Sequence, residues 1–322
     1  MNKEMLERRI VFANDASLGG VSPDRREPQW TFDSLIRRFM ESSKFNKYSP
    51  NTQASYKFDY TDFGQFLRAN DPTSLDSVTP DVVAKYFKRL GEERSQATIK
   101  RRVASLRVLF SWVSDLDPNA AEFLRKIPSP KVDETKNELR PLSRDQVDKL
   151  YQAASGNTRD QAILAIALST GANVSEILDM DSKDIENVDE QRVGVHVGQK
   201  NKRRTIVLPS YESDLVRKHL EQERGNAGPI FVNHPYDNRK SARLSRQGFW
   251  SRLKGYGSEI ELPDLSPRML RDTFVVNTTG GKPELTNRLG ITNQHADKLF
   301  KRRERTSTSG KSGVIYERPP VA

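Results

Sequence analysis

Residues 192–209 read "RVGVHVGQKNKRRTIVLP". Two short runs, RVGVHV and RTIVLP, are β-rich and alternate with the two-residue period of a strand. The segment between them, GQKNKR, is polar and carries three cations. The stretch therefore reads as a hairpin with a basic tip. The rest of the chain carries helical signals, so this hairpin sets the class. The expected fold is mainly α, with a small β-hairpin or sheet confined to the C-terminal half.

Upstream, four helices follow one another. "TFDSLIRRFMESS" places Phe32, Leu35, Ile36 and Phe39 at the i, i+3, i+4, i+7 spacing of a packed helix. "SPNTQASYKFDYTDFGQFLRAN" opens with Ser49 as cap and Pro50 in the first turn. Thr79-Pro80 repeats that start for a helix expected to end near Gly91. "SQATIKRRVASLRVLFSWVSDL" carries the stripe Ile99, Val103, Leu106, Leu109, Phe110 and Val113. Residues 30–127 thus read as a small helical domain, after a flexible arm at 1–29. A proline-bounded, apolar-poor linker at 128–141 leads to a second domain, 142–305, and a tail at 306–322. In the second domain an apolar helix is stopped by Gly171. Further helices are expected at 212–224, 245–256, 267–278, 283–290 and 292–304.

The composition narrows the function. Net charge is +10 over 322 residues, which favours a polyanionic partner. There are no cysteines, so disulfides, thiolate catalysis and Cys-based zinc sites are excluded. His196, His219, His234 and His295 are scattered, and none has metal-ligand spacing. No metal and no cofactor are expected. No apolar run approaches the ~20 residues of a membrane span, and the N-terminus lacks a signal-peptide core. A cytoplasmic, nucleoid-associated protein without a membrane partner is the simplest reading.

Four basic clusters stand out: Lys100, Arg101 and Arg102 with Arg107; Lys200, Lys202, Arg203 and Arg204 at the hairpin tip; Arg239, Lys240, Arg243 and Arg246; and Lys301, Arg302, Arg303 and Arg305. Any one alone reads equally well as a solvated face. Four clusters across both domains favour a surface that tracks phosphates, with double-stranded DNA as partner.

The order of these features resembles the tyrosine recombinases, also called phage integrases. "SPNTQASYKFDYTDFGQFL" and "SQATIKRRVASLRVLFSWV" resemble the family's helical core-binding (SAM-like) domain, and "LRPLSRDQVDKLYQAA" the entry to its α+β catalytic domain. "LSTGANVSEILDMDSKDI" is similar to Thr-Gly-Leu-Arg-x-Ser-Glu-Leu. "GQKNKRRTIVLP" is similar to the hairpin Gly-Lys-Gly-Asn-Lys-x-Arg. "LSPRMLRDTFVV" is similar to Pro-His-x-Leu-Arg-His-Thr-Phe. "LGITNQHADKLF" is similar to Leu-Gly-His followed, nine residues on, by tyrosine. In this family a tyrosine attacks a DNA phosphodiester and forms a 3′-phosphotyrosyl link. Two arginines and histidines stabilise the phosphate, and a hairpin lysine protonates the leaving oxygen.

Carried over position by position, the resemblance pairs the first arginine with Asn173. The hairpin lysine pairs with Gln199, beside Lys200. The first histidine pairs with Arg268, and the second arginine is Arg271. The histidine after it is Asp272, that of Leu-Gly-His is Ile291, and the tyrosine is Phe300. Phe300 has no oxygen to attack with, and Asn173 cannot clamp phosphate as a guanidinium does. Loss of one transition-state donor costs roughly 3–4 kcal/mol. The chain is therefore expected not to be an enzyme. It reads as a sequence-specific duplex-DNA-binding protein, for example a repressor of a prophage or mobile element. The expected contacts are Lys100, Arg101, Arg102, Lys200, Lys202, Arg203, Arg204, Arg243, Arg246, Arg268, Arg271, Arg302 and Arg303.

Two alternatives stay open. One is an active recombinase whose displaced nucleophile is Tyr316. The other is an architectural accessory factor for an active recombinase. His295 reads as an exposed helix histidine, four residues past Ile291. The tail at 306–322 is a candidate for packing on another copy or on a partner recombinase. Helices at 49–67, 96–114 and 245–256 are candidates for entry into the major groove, with Lys100, Arg101, Arg246 and Arg252 as base readers.

Overall fold

The helix starts follow the capping chemistry written in the chain. Ser49 caps α3 (Pro50–Ala69), its hydroxyl accepting from the Thr52 N–H at 3.3 Å, with Pro50 in the first turn. Thr79 caps α4 (Pro80–Glu93) in the same way. They are preceded by α1 (Phe32–Glu41) and the single turn α2 (Ser43–Asn46), and followed by α5 (Gln96–Leu116). The computed structural model describes residues 31–70, 78–116, 138–198, 203–222, 228–233 and 243–308. The chain divides into two compact units, Met1–Asp133 and Glu134–Ala322.

The first unit is held by an aromatic core. Phe32, Phe39, Phe45, Tyr60, Phe63, Phe66, Tyr86 and Phe110 are buried together with the aliphatic stripe of α5. Phe32 meets Phe63 edge-on at 5.1 Å, and Phe63 meets Tyr86 at 4.8 Å. Each such pair adds about 0.5–1.5 kcal/mol beyond its burial. The helix expected to end near Gly91 runs on to Glu93.

The second unit opens with α6 (Arg144–Ala153), whose Ser143 and Gln146 form a capping box. Then comes α7 (Thr158–Thr170), buried nearly all round. This explains its unbroken run Ala162–Ala167: a helix covered on every side needs no polar face. The short α8 (Val174–Leu178) and a 3-10 turn (Ser182–Asp184) lead to the sheet. The hairpin expected at 192–209 forms as β2 (Val193–Val197) and β3 (Arg204–Val207). A further strand, β1 (Ile185–Asn187), makes an antiparallel sheet of order β1-β2-β3. Its register pairs Ile185 with Val195 and His196 with Thr205. The tip residues 199–202 lie outside the described residues.

Among the described residues five helices follow: α9 (Ser210–Gln222), α10 (Arg246–Glu259), α11 (Pro267–Asn277), α12 (Lys282–Leu289) and α13 (Asn293–Thr308). Helix α13 runs through residue 305, where the sequence reading ended the domain. Among the described residues no helix is long and apolar enough to cross a membrane.

Candidate functional site

The site is assembled from the exit of α7, the middle of α11, one face of α13 and the start of β3. Helix α7 stops at Gly171, in the left-handed region at φ 61°. A Cβ there would collide with Phe274 and Leu289, so glycine is required by both backbone and packing. The Gly171 carbonyl accepts from Arg271 Nη1 at 2.5 Å. This contact ties the arginine of α11 to the exit of α7.

Two residues later Asn173 starts α8. Its N–H donates to Glu176 Oε2 at 2.8 Å, and Glu176 receives Arg204 Nη1 at 3.1 Å. Arg204 also donates from Nε to the Arg288 carbonyl at 2.5 Å. Burial works against the charged form of Glu176. The Arg204 hydrogen bond, the Asn173 N–H and the charges of Arg204 and Arg271 outweigh it and hold its carboxyl below the ordinary value. Burial pulls the Arg271 guanidinium down, Arg204 adds to the fall, and Glu176 and Asp272 oppose it. Glu176 was not singled out from the sequence. Its signal was the capping-box spacing in "NVSE".

Asp272 is buried, and its Oδ2 accepts from the Arg140 N–H at 3.1 Å. The next residue, Thr273, accepts from the Leu142 N–H at 2.8 Å. The carboxylate at 272 therefore fastens the entry segment of this unit to α11. Arg268 Nε stands 3.7 Å from it. Burial raises the Asp272 carboxyl, against the Arg140 N–H and the charges of Arg268, Arg302 and Arg271. His295 is exposed on α13, as expected. Partial burial of its ring, then the like charges of Arg271, Arg302 and Lys298, hold it below the ordinary imidazole value. Arg204, Arg268, Arg271, Arg302 and His295 thus converge on one patch around Glu176 and Asp272.

Ile291 and Phe300 pack on the rim of a small apolar cluster of Leu139, Phe274, Val275, Leu285, Leu289, Ala296 and Leu299. The Phe300 ring lies 4.7 Å from the Arg303 guanidinium, which donates to the carbonyls of Thr278 at 2.6 Å and Gly280 at 2.8 Å. An open cleft beside the patch is lined by Arg203, Arg204, Thr286, Asn287, Gly290, Ile291 and Thr292.

The expected DNA contacts separate by environment. Lys100, Arg203, Arg246 and Arg268 are exposed, and Arg101 and Arg302 are partly open. Arg203 pairs with Asp184 at 2.7 Å and Arg101 with Asp59 at 2.5 Å. Arg243 holds the Leu178 and Met180 carbonyls, both at 2.9 Å, and Asp181 at 2.8 Å. Arg252 is committed to Asp160 and to the Tyr256 hydroxyl at 3.1 Å. Arg102 corrects the expectation most sharply. It is fully buried, bonded to Asp62 and the Tyr86 hydroxyl, and so cannot face a phosphate. Lys200, Lys202, Gln199, Arg239, Lys240 and Tyr316 lie outside the described residues.

The phage integrase family profile matches residues 140–278, and the phage integrase N-terminal SAM-like domain matches 36–115. The chain is 33% identical to the tyrosine recombinase XerC of Roseiflexus castenholzii over 245 residues, covering 71% of this chain and 74% of the relative. It is 30% identical to the tyrosine recombinase XerC of Herpetosiphon aurantiacus, covering 70% and 75%. In fold it resembles a lambda integrase dimer bound to a COC′ core site, with TM-score 0.64, 16% identity and 94% and 86% of the two chains covered. It also resembles the XerH site-specific recombinase bound to its difH substrate, with TM-score 0.62, 15% identity and 90% of each chain covered. These relatives overturn the expectation that the chain is not an enzyme. The proteins it matches over most of its length are named recombinases. Repression of a mobile element loses the premise it was built on.

Proposed function

Because the chain belongs to the phage integrase family of tyrosine recombinases, we propose that it is a site-specific recombinase acting on duplex DNA, with Tyr316 as nucleophile. The observation that carries this reading is the convergence of Arg204, Arg271 and Arg302 with His295 on one patch. Arg271 and Arg302 can bind the non-bridging oxygens of a phosphate, while Arg204, buried and bonded to Glu176 and the Arg288 carbonyl, adds its charge behind them. Glu176 orients Arg204, and the Gly171 carbonyl orients Arg271, so both are set before substrate arrives.

In the proposed step the Tyr316 oxygen bonds to phosphorus as the bond to the 5′ oxygen breaks. The phenol proton leaves to solvent, and Lys200, one residue from the family's lysine position, gives a proton to the 5′ oxygen. Attack by a second 5′ hydroxyl reverses the step on a new strand. The bond energy stays in the phosphotyrosyl link, so no cofactor is consumed. Position 300 takes no part, because its ring carries no oxygen. The lambda integrase relative is a dimer on its DNA, and the proposal extends to copies of this chain on paired half-sites.

The test is selection of binding sites from a random duplex pool, followed by incubation of two duplexes that carry the selected site. Joined products with exchanged arms are expected. Selective binding with no exchange at any enzyme concentration overturns the reading.

A further inference from the structure

Four large hydrophobic side chains among the described residues are strongly exposed: Phe58, Val188, Val207 and Trp250. Phe58 is the most open, at 59%, and packing does not account for it. The aromatic core of its unit is closed without it. Leaving that much ring in water forgoes burial energy that a neighbouring polar residue would not need.

The ring is nevertheless held. The Arg102 guanidinium lies 5.6 Å from its centroid, on the protein side. Arg102 is itself locked. It donates to the Tyr86 hydroxyl at 2.9 Å and to Asp62, and faces Asp59 at 3.7 Å. A cation under a ring face orients it without covering its outer edge. Next to the ring in sequence is exposed Lys57. On α5, Arg101 reaches across to the Ser55 carbonyl at 3.4 Å, one turn before Phe58, and exposed Lys100 precedes it. The carboxylates of the region are neutralised by Arg101, Arg102 and Arg89. The outward face of α3 therefore offers one apolar ring set among cations.

We infer that Phe58 reads a thymine methyl group in the major groove of the bound duplex. The partner must offer anions and an apolar group side by side. Duplex DNA does so where a thymine C5-methyl projects between the phosphate walls of the major groove, and that groove is wide enough for a helix. The minor groove shows no methyl, so it offers the ring no matching group. The inference rests on the duplex-DNA reading above and adds a named base contact to it.

The test uses the full-length chain and a duplex selected from a random pool. Each thymine is replaced in turn by deoxyuridine, which removes the methyl and keeps the pairing. For the wild type, one or two positions should weaken binding roughly fourfold, the worth of one buried methyl. Phe58→Ala should bind the thymine and uracil duplexes equally, with the salt slope unchanged. Phe58→Leu should restore part of the difference, and its folding is checked by thermal melting beside the alanine variant. If the wild type selects no duplex, the duplex-DNA reading fails. If it selects a duplex but is indifferent to every methyl, or if Phe58→Ala keeps the wild-type preference, this inference fails alone. Loss of an acidic protein partner in Phe58→Ala, with the methyl preference intact, overturns it as well.

Discussion

Arg102 donates to the Tyr86 hydroxyl at 2.9 Å from a side chain only 2% exposed. It spans α5, α3 and α4 by meeting Asp59, Asp62 and Tyr86 together. Removing it takes a buried cation from Asp62 and Asp59, leaves Asp59 to Arg101 alone, and deprives the Tyr86 hydroxyl of a donor. Arg102→Ala should therefore destabilise the chain by roughly 3–5 kcal/mol, read from urea unfolding. Unchanged stability with weakened DNA binding would return Arg102 to the phosphate surface.

The cluster at 100–102 also shows what linear reading can and cannot supply. Charge marks all three residues alike. The helical period does not: Arg102 is three residues past Ile99 and four before Leu106, on the apolar stripe of α5. Its partners, Asp59 and Asp62, lie one turn apart on α3, but nothing in the sequence pairs α3 with α5 at that register. The hairpin was legible because alternation over 193–197 and 204–207 is a two-residue signal. Strand β1 was not, because "IEN" is three residues long and owes its conformation to pairing with β2. The arginine patch was legible as motifs, while its wiring through Glu176 and the carbonyls of Gly171 and Arg288 was not.

The left-handed exit of α7 is the second point of fragility. Gly171→Ala forces a Cβ into both a disfavoured φ and the Phe274 and Leu289 side chains. A loss of about 2–4 kcal/mol is expected by chemical denaturation. DNA binding should weaken with it, since the Gly171 carbonyl holds Arg271.

Glu176 gives the patch a pH dependence with a definite sign. Its carboxyl is held below the ordinary 4.5 in the folded chain. Its contribution is therefore complete above that value and is lost as pH falls below it. Stability measured from pH 6 down to 3.5 should fall less steeply in Glu176→Gln than in the wild type. Parallel curves would show that the Arg204 pair contributes nothing to folding.

Arg302 tests the phosphate surface better than Arg271. Arg271 is half-buried and bonded to a carbonyl, so reversing its charge would perturb the fold. Arg302 is partly open on α13 and acts on both Asp272 and His295. Arg302→Ala should weaken binding uniformly across duplex sequences and reduce the salt slope by about one. An unchanged slope would remove Arg302 from the contact set.

The proposed recombination step turns on a covalent bond between DNA and Tyr316. The direct measurement is peptide mapping of the adduct formed on a nicked duplex that carries the selected site, from which the cleaved end diffuses away. A denaturant-resistant protein–DNA species is expected, with the nucleotide remnant on Tyr316, and it is absent in Tyr316→Phe. Selective binding of that duplex with no adduct, or an adduct mapped to any other residue, would contradict it.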